Sequence, residues 1–440
     1  MAWTPLRFSA LSGRTHGLLM TLLVMAPLVV ANPVQAQVER QLHAVTWSRT
    51  YQPIVGTDAF TVTSDGGFII GGQGFGHGLD AWVMKADSNG EPEWEKNYHP
   101  TGYPYSTGVV QVMETRGGGY LVVGHVLFGG PWLLKLNHKG DIQWSRVYRA
   151  DSFSHVEQTL DGGYIAVGNF GTIGAHDSNA WVLKLDPEGN ITWQETFEGQ
   201  DINSVDETRD GGFVAAGIVD VENKAEAWVL KLDALGKVIW QNALRLNANS
   251  QAYSVRQTRD GDYTVAGHSV LGALIFALNK EGNILWEESF SGSGFTASSI
   301  RETSDGGSIV VGSSTGPFLL RLDSQGNLIW LRTYGTSGLL EEAQESKHGQ
   351  IIAAGSLATY CCGYVAWVLR LDSSGTVESC ELGDLSNSTL TDISSELTNT
   401  AIASVNTSAI VTLAGVNIAT PQTIIQTLCA PGRDERGRKA

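Results

Sequence analysis

Two adjacent columns of side chains, recurring at intervals of 43 to 52 residues, carry most of the chemistry open to this chain of 440 residues. One column holds Val62, Glu114, Gln158, Glu207, Gln257, Glu302 and Glu345. The residue before each gives Thr61, Met113, Glu157, Asp206, Arg256, Arg301 and Gln344. Carboxyls gathered in a narrow space could bind a cation, or take raised pKa values and serve as acid and base on a glycan bond. Arg256 and Arg301 are suitable counter-charges, so the competing expectation is a mutually paired ring without a metal.

The remaining motifs are weaker. Gly312-Ser313-Ser314-Thr315-Gly316 satisfies Gly-x-Ser-x-Gly, but no helix follows to make a nucleophile elbow. The glycine-rich run from Gly71 to Gly78 opens no helix and has no phosphate-binding lysine. The histidines show no zinc spacing, and no cofactor pattern is present. Four cysteines, Cys361, Cys362, Cys380 and Cys429, allow three connectivities, of which Cys380 with Cys429 and Cys361 with Cys362 is the preferred set.

The elements that must position these groups form a repeat. Asp-Gly turns begin at Asp65, Asp161, Asp210, Asp260 and Asp305, with Gly117 and His348 as their equivalents. Seven residues after each position stands a glycine: Gly72, Gly124, Gly168, Gly217, Gly267, Gly312 and Gly355. A second column holds Trp82, Trp132, Trp181, Trp228, Leu274, Phe318 and Trp367, each followed by an Asp/Asn-x-x-Gly turn. A third holds Trp47, Trp94, Trp144, Trp193, Trp240, Trp286 and Trp330, so 12 of the 13 tryptophans sit in two columns. Each unit reads as four short strands joined by tight turns, and seven such units predict an all-β, seven-bladed β-propeller. The seventh unit has Ser379 and Cys380 where its last tryptophan should fall. Trp47-Ser48-Arg49-Thr50-Tyr51 is therefore expected to close that blade as its fourth strand.

The N-terminal 36 residues carry Arg7 and Arg14, the apolar run Leu18 to Ala31, and Val34-Gln35-Ala36 before Gln37, the pattern of a cleaved secretory signal. No other segment could span a membrane, so a secreted or periplasmic bacterial protein is expected. The propeller is assigned to 37–380. Residues 381–440 form a Ser/Thr/Asn-rich tail, read as an extended β appendage or stalk, with disorder as the alternative. A net charge of -16 argues against nucleic acid as a partner.

The repeats resemble those of exported bacterial β-propellers with the motif Asp-Gly-Gly-Tyr-x-Val-x-Gly, then Ala-Trp-Val-Leu-Lys-Leu-Asp-x-x-Gly-x-Ile-x-Trp, over residues 42–380. The resemblance, which extends to kelch and WD40 blades, implies fold and export but no reaction. The stretch 321–330 is also similar to the tryptophan-docking repeat of quinoprotein dehydrogenases, in which the tryptophan packs blade to blade. Vicinal cysteines like Cys361 and Cys362 contact the cofactor in some of those enzymes.

Turn lengths separate the two ends of the blades. The spans that contain the Asp-Gly and Asp/Asn-x-x-Gly turns are constant. The second-to-third-strand spacing runs 10, 8, 13, 11, 7, 6 and 12, and the blade-to-blade spacing runs from 17 to 23. Both variable connections emerge on one face, which makes it the candidate binding surface. It would carry His99, Tyr103, Tyr105, Phe128, Phe153, Phe170, His176, Phe295 and Tyr360. The expectation is a binding or scaffold module for a glycan, peptide or protein, more than an enzyme. The alternative is a propeller enzyme using the axial channel, either a quinoprotein-like oxidoreductase or a carboxylate-dependent glycan hydrolase or lyase.

Overall fold

A computed structural model describes residues 46–377 except 53, 76–78, 172–178, 198–200, 247–248, 292–293, 315, 336–337 and 360–362, together with short backbone segments between 390 and 429. Every regular element among them is a strand, and no helix long and apolar enough to cross a membrane occurs among the described residues.

Seven antiparallel sheets of four strands form a seven-bladed β-propeller. The third blade is representative: Ser152–Gln158, Tyr164–Phe170, Asn179–Leu185 and Ile191–Phe197 run from the axis outward. The innermost strands of the other six are Ile54–Val62, Thr107–Glu114, Asp201–Glu207, Ser250–Gln257, Thr296–Glu302 and Leu339–Glu345. The core lies in layers between consecutive blades: one layer joins Val83 and Tyr98 of the first to Val122 and Trp132 of the second. The expected closing strand is present, with Trp47–Gln52 antiparallel to Gly363–Leu371 from Trp47↔Arg370 to Tyr51↔Ala366.

Close approach explains two glycine columns. At Gly168, Gly217, Gly267, Gly312 and Gly355 a Cβ would collide with a backbone carbonyl of the blade's own inner strand, Ser152 O in the case of Gly168. The glycine of each Asp/Asn-x-x-Gly turn has positive φ, as at Gly189 (78°), and lies under the fourth-strand tryptophan of the preceding blade: Trp144 on Gly189, Trp330 on Gly375, Trp47 on Gly90. Four residues after four of those tryptophans stands a tyrosine whose hydroxyl donates to the same glycine's carbonyl. These are Tyr51 on Gly90, Tyr98 on Gly140, Tyr148 on Gly189 and Tyr334 on Gly375, at 2.6 to 2.9 Å.

The tail is β where it is described, but it builds no sheet of its own. Leu390–Asp392 pairs with the outer strand of the fifth blade, Glu396–Asn399 with the fourth, Ser404–Val405 with the third and Val411–Leu413 with the second. Val416–Ala419 pairs with the first and Ile424–Cys429 with Trp47–Gln52 of the seventh. The tail thus runs backward around the ring as a fifth strand on six blades, and the sixth blade has four strands among the described residues.

Candidate functional site

A β-bulge interrupts the inner strand of blades two to seven, between Phe153 and His155 in the third and between Leu340 and Glu342 in the seventh. A bulge inserts one residue and re-aims the side chains beyond it. Here it turns the next side chain toward the neighbouring blade. Gln111 donates from Nε2 to Val156 O and accepts the Val156 N–H at Oε1, both at 2.8 Å, and Ser204 Oγ accepts the Val255 N–H at 3.2 Å.

The column from Glu114 to Glu345 lies at the opposite end of the inner strands and clamps blade to blade. Each acceptor takes a backbone N–H from the turn of the preceding blade. Glu114 takes Ser64, Gln158 takes Arg116, Glu207 takes Leu160, Gln257 takes Arg209, Glu302 takes Arg259 and Glu345 takes Ser304, at 2.6 to 3.1 Å. Val62 has no acceptor to offer, and at that seam Lys347 Nζ instead donates to Ser64 O at 3.0 Å.

Glu157, Asp206, Arg256 and Arg301 do converge, and Glu157, Arg256 and Arg301 line a cavity of about 320 Å³ together with His155, Met113, Phe60 and Glu342. Burial, then the charge of Asp206, holds the Glu157 carboxyl well above its ordinary range, and the two acids share a hydrogen bond. Asp206 Oδ2 also accepts the Gln257 N–H at 2.6 Å. Burial, with Arg256 and Arg301 adding, holds His155 well below its usual value, hence neutral. Arg256 donates to His155 Nε2 at 3.2 Å, to Ser204 Oγ at 3.1 Å and to Val255 O at 2.7 Å. Arg301 Nε donates to Glu342 Oε1 at 2.6 Å, while Ser299 Oγ donates to the other oxygen of Glu342 at 3.3 Å.

Sequence reading missed His155 and Glu342, although each lies two residues before a channel position it had marked. The two-residue period of a strand was the signal available. A hydrolase needs two carboxyls facing each other across roughly 5–10 Å of substrate. The channel carboxyls are instead engaged with each other, with arginine or with backbone N–H groups. Among the described residues no group of three or more His, Cys, Asp or Glu could hold a metal ion.

The variable face divides its aromatics into two kinds. Phe153 stacks on Trp181 at 5.4 Å, Phe170 leans on the same indole at 5.6 Å, and Phe295 packs on Phe318 at 5.5 Å. Tyr103 lies against Gly129, and His99 bridges Asp80 Oδ1 at 3.0 Å and Tyr103 O at 2.5 Å. These side chains pack the loops. Tyr105 and Phe128 differ: they are 48% and 68% exposed and meet edge to face at 5.2 Å, with exposed Leu127 beside them. His176, Tyr360, Cys361, Cys362 and Cys380 lie outside the described residues, and the Cys429 backbone pairs with Ser48.

No family model matches the chain, and no curated protein matches it. Among solved structures it is similar to Sqt1 from Chaetomium thermophilum, with a TM-score of 0.49 and 10% identity over 75% of this chain and 100% of that one. Sqt1 bound to the N-terminus of ribosomal protein L10 gives 0.46 and 10% over 72% and 96%. A protein of unknown function from Bacteroides caccae gives 0.38 and 16% over 60% and 92%.

Proposed function

We propose that this propeller is an exported, non-enzymatic binding module whose variable face engages a partner protein through Tyr105, Leu127 and Phe128. The observation that carries the reading is Phe128. Its φ of 60° is a conformation that costs a side-chain-bearing residue on the order of 1–2 kcal/mol, yet the ring is held out in solvent with Tyr105 against its edge. Neither fold nor core needs an aromatic there, whereas a docking surface does.

Replacing Phe128 by Gly and Tyr105 by Ser removes both rings and relieves the backbone. The double variant is expected to keep or slightly raise its Tm while losing the partner that the wild-type chain captures from the exported fraction of its host. Equal capture by both chains would place the binding surface elsewhere, and loss on a glycan array alone would assign a sugar in place of a protein. Export itself rests on the leader. Intact mass should show a chain beginning at Gln37 and lighter by the four hydrogens of two disulfides, Cys380 with Cys429 and Cys361 with Cys362.

A further inference from the structure

The axial cavity has chemistry that the rim reading does not use. Its hydrogen-bonding capacity is unequally spent. On the acidic side both oxygens of Glu114 hold Ser64, both oxygens of Glu342 hold Arg301 and Ser299, and Glu157 shares a hydrogen bond with Asp206. On the basic side the Nε of Arg256, a residue only 9% exposed, has no partner. Arg301 donates only through its Nε among the described residues, leaving two terminal amino groups, and its side chain is 32% exposed. The two guanidiniums are close enough for the charge of Arg301 to lower the pKa of Arg256. What remains open toward the cavity is therefore the pair of terminal amino groups of Arg301, with the charge of the buried Arg256 close by. The first and second blades line the cavity with Phe60, Val110 and Met113 together with Thr61, Gln111, Glu114 and Arg116.

We propose that the axial channel is a binding site for a small monocarboxylate, with the carboxylate on the terminal amino groups of Arg301 beside the charge of Arg256, and an uncharged body against Phe60 and Met113. Planar guanidinium forks suit a carboxylate, which takes two parallel hydrogen bonds. A dianion fits worse than a monoanion, because the carboxyls of Glu342, Glu157 and Asp206 lie close enough to offset part of the charge of the two arginines. The volume of about 320 Å³ suits a ligand the size of a sugar acid.

The test titrates the mature chain with glucuronate, pyruvate and benzoate, reading saturation-transfer NMR and calorimetry, with glucose and inorganic phosphate as comparators. Saturable one-to-one binding of at least one carboxylate is expected, with none of glucose. Arg301→Lys retains the charge beside Glu342 but loses the fork, and should weaken binding about ten-fold, as should the neutral pair Arg301→Gln with Glu342→Gln. The rim double variant should bind as wild type, so this site stands or falls separately from the rim. Three outcomes overturn the proposal: none of the carboxylates binds, phosphate binds as tightly as the best of them, or a folded Arg301→Lys chain binds undiminished.

Discussion

Lys135 and its counterparts show what one side chain does inside the repeat. In the third blade Asp161 accepts from Thr159 Oγ1, Gly163 N–H and Lys184 Nζ. Burial alone would raise its pKa, but these bonds outweigh it and bring it to about 2. The second blade has Gly117 in place of that acid, so Lys135 reaches only the carbonyls of Gly118 and Leu136, and burial pulls it down to about 8. Space around Gly117 is open and its φ is not positive. Gly117→Asp should therefore stabilise the fold by about 1 kcal/mol in denaturant titration and return Lys135 toward ordinary lysine behaviour by NMR. The channel supplies a second residue-scale expectation, this one in pH. Glu157 is raised from 4.5, so the stability it contributes is complete below pH 4.5 and is lost as pH rises through its folded value. His155 is lowered from 6.5, so its contribution is present above 6.5 and is lost as pH falls. The two slopes oppose each other between those values. From 4.5 up to its folded value, Glu157 should make the unfolding free energy fall with rising pH by at most about 1.4 kcal/mol per unit. Glu157→Gln should flatten that limb, and an unchanged slope would assign it to another group.

Strands and turns are where the sequence was most readable. The tryptophan and glycine columns are short-range and periodic, and each has one steric cause, so they disclose blade number, turn type and the closing strand without knowledge of any contact. The channel was less readable because the partners of Glu114, Glu207, Glu302 and Glu345 are backbone N–H groups 41 to 50 residues away, which no side-chain pattern encodes. That Phe128 is exposed whereas Phe153 is buried depends likewise on loop packing. The clamp pattern nonetheless makes an element-level prediction. Six turns have their N–H capped by the following blade, but at the seam between the seventh and first blades Val62 cannot cap Lys347. In native-state hydrogen exchange the Lys347 amide should exchange faster than those of Ser64, Arg116, Leu160, Arg209, Arg259 and Ser304. Equal protection would mean that the Lys347 side chain on Ser64 O seals the seam as well as a carboxylate does.

At the scale of the whole molecule, the tail acts on every blade it borders. Outer strands of propeller blades carry unpaired N–H and C=O groups, a template for association between chains. Here six of the seven are covered by short strands from residues 390–429, each too short to be stable alone but held by a blade that is already folded. The last of them, Ile424–Cys429, returns to the seventh blade, whose third strand is followed by Cys380 in the sequence, so a bond between Cys380 and Cys429 would fasten both ends of the belt at one place. The sixth blade is a built-in control, since Leu328–Thr333 has no added strand among the described residues. A chain ending at Val377 should lose about 5 °C or more in Tm and move toward oligomers on a sizing column with light scattering. Its amides should lose protection along Ile284–Ser291, Val238–Arg245, Ile191–Phe197, Ile142–Tyr148, Pro92–Pro100 and Trp47–Gln52, while Leu328–Thr333 stays as it was. Uniform loss in all seven blades would mean that truncation loosens the ring as a whole. Loss confined to the six belted blades would identify the tail as a shield that keeps an otherwise sticky ring monomeric, leaving the variable face as its route to a partner.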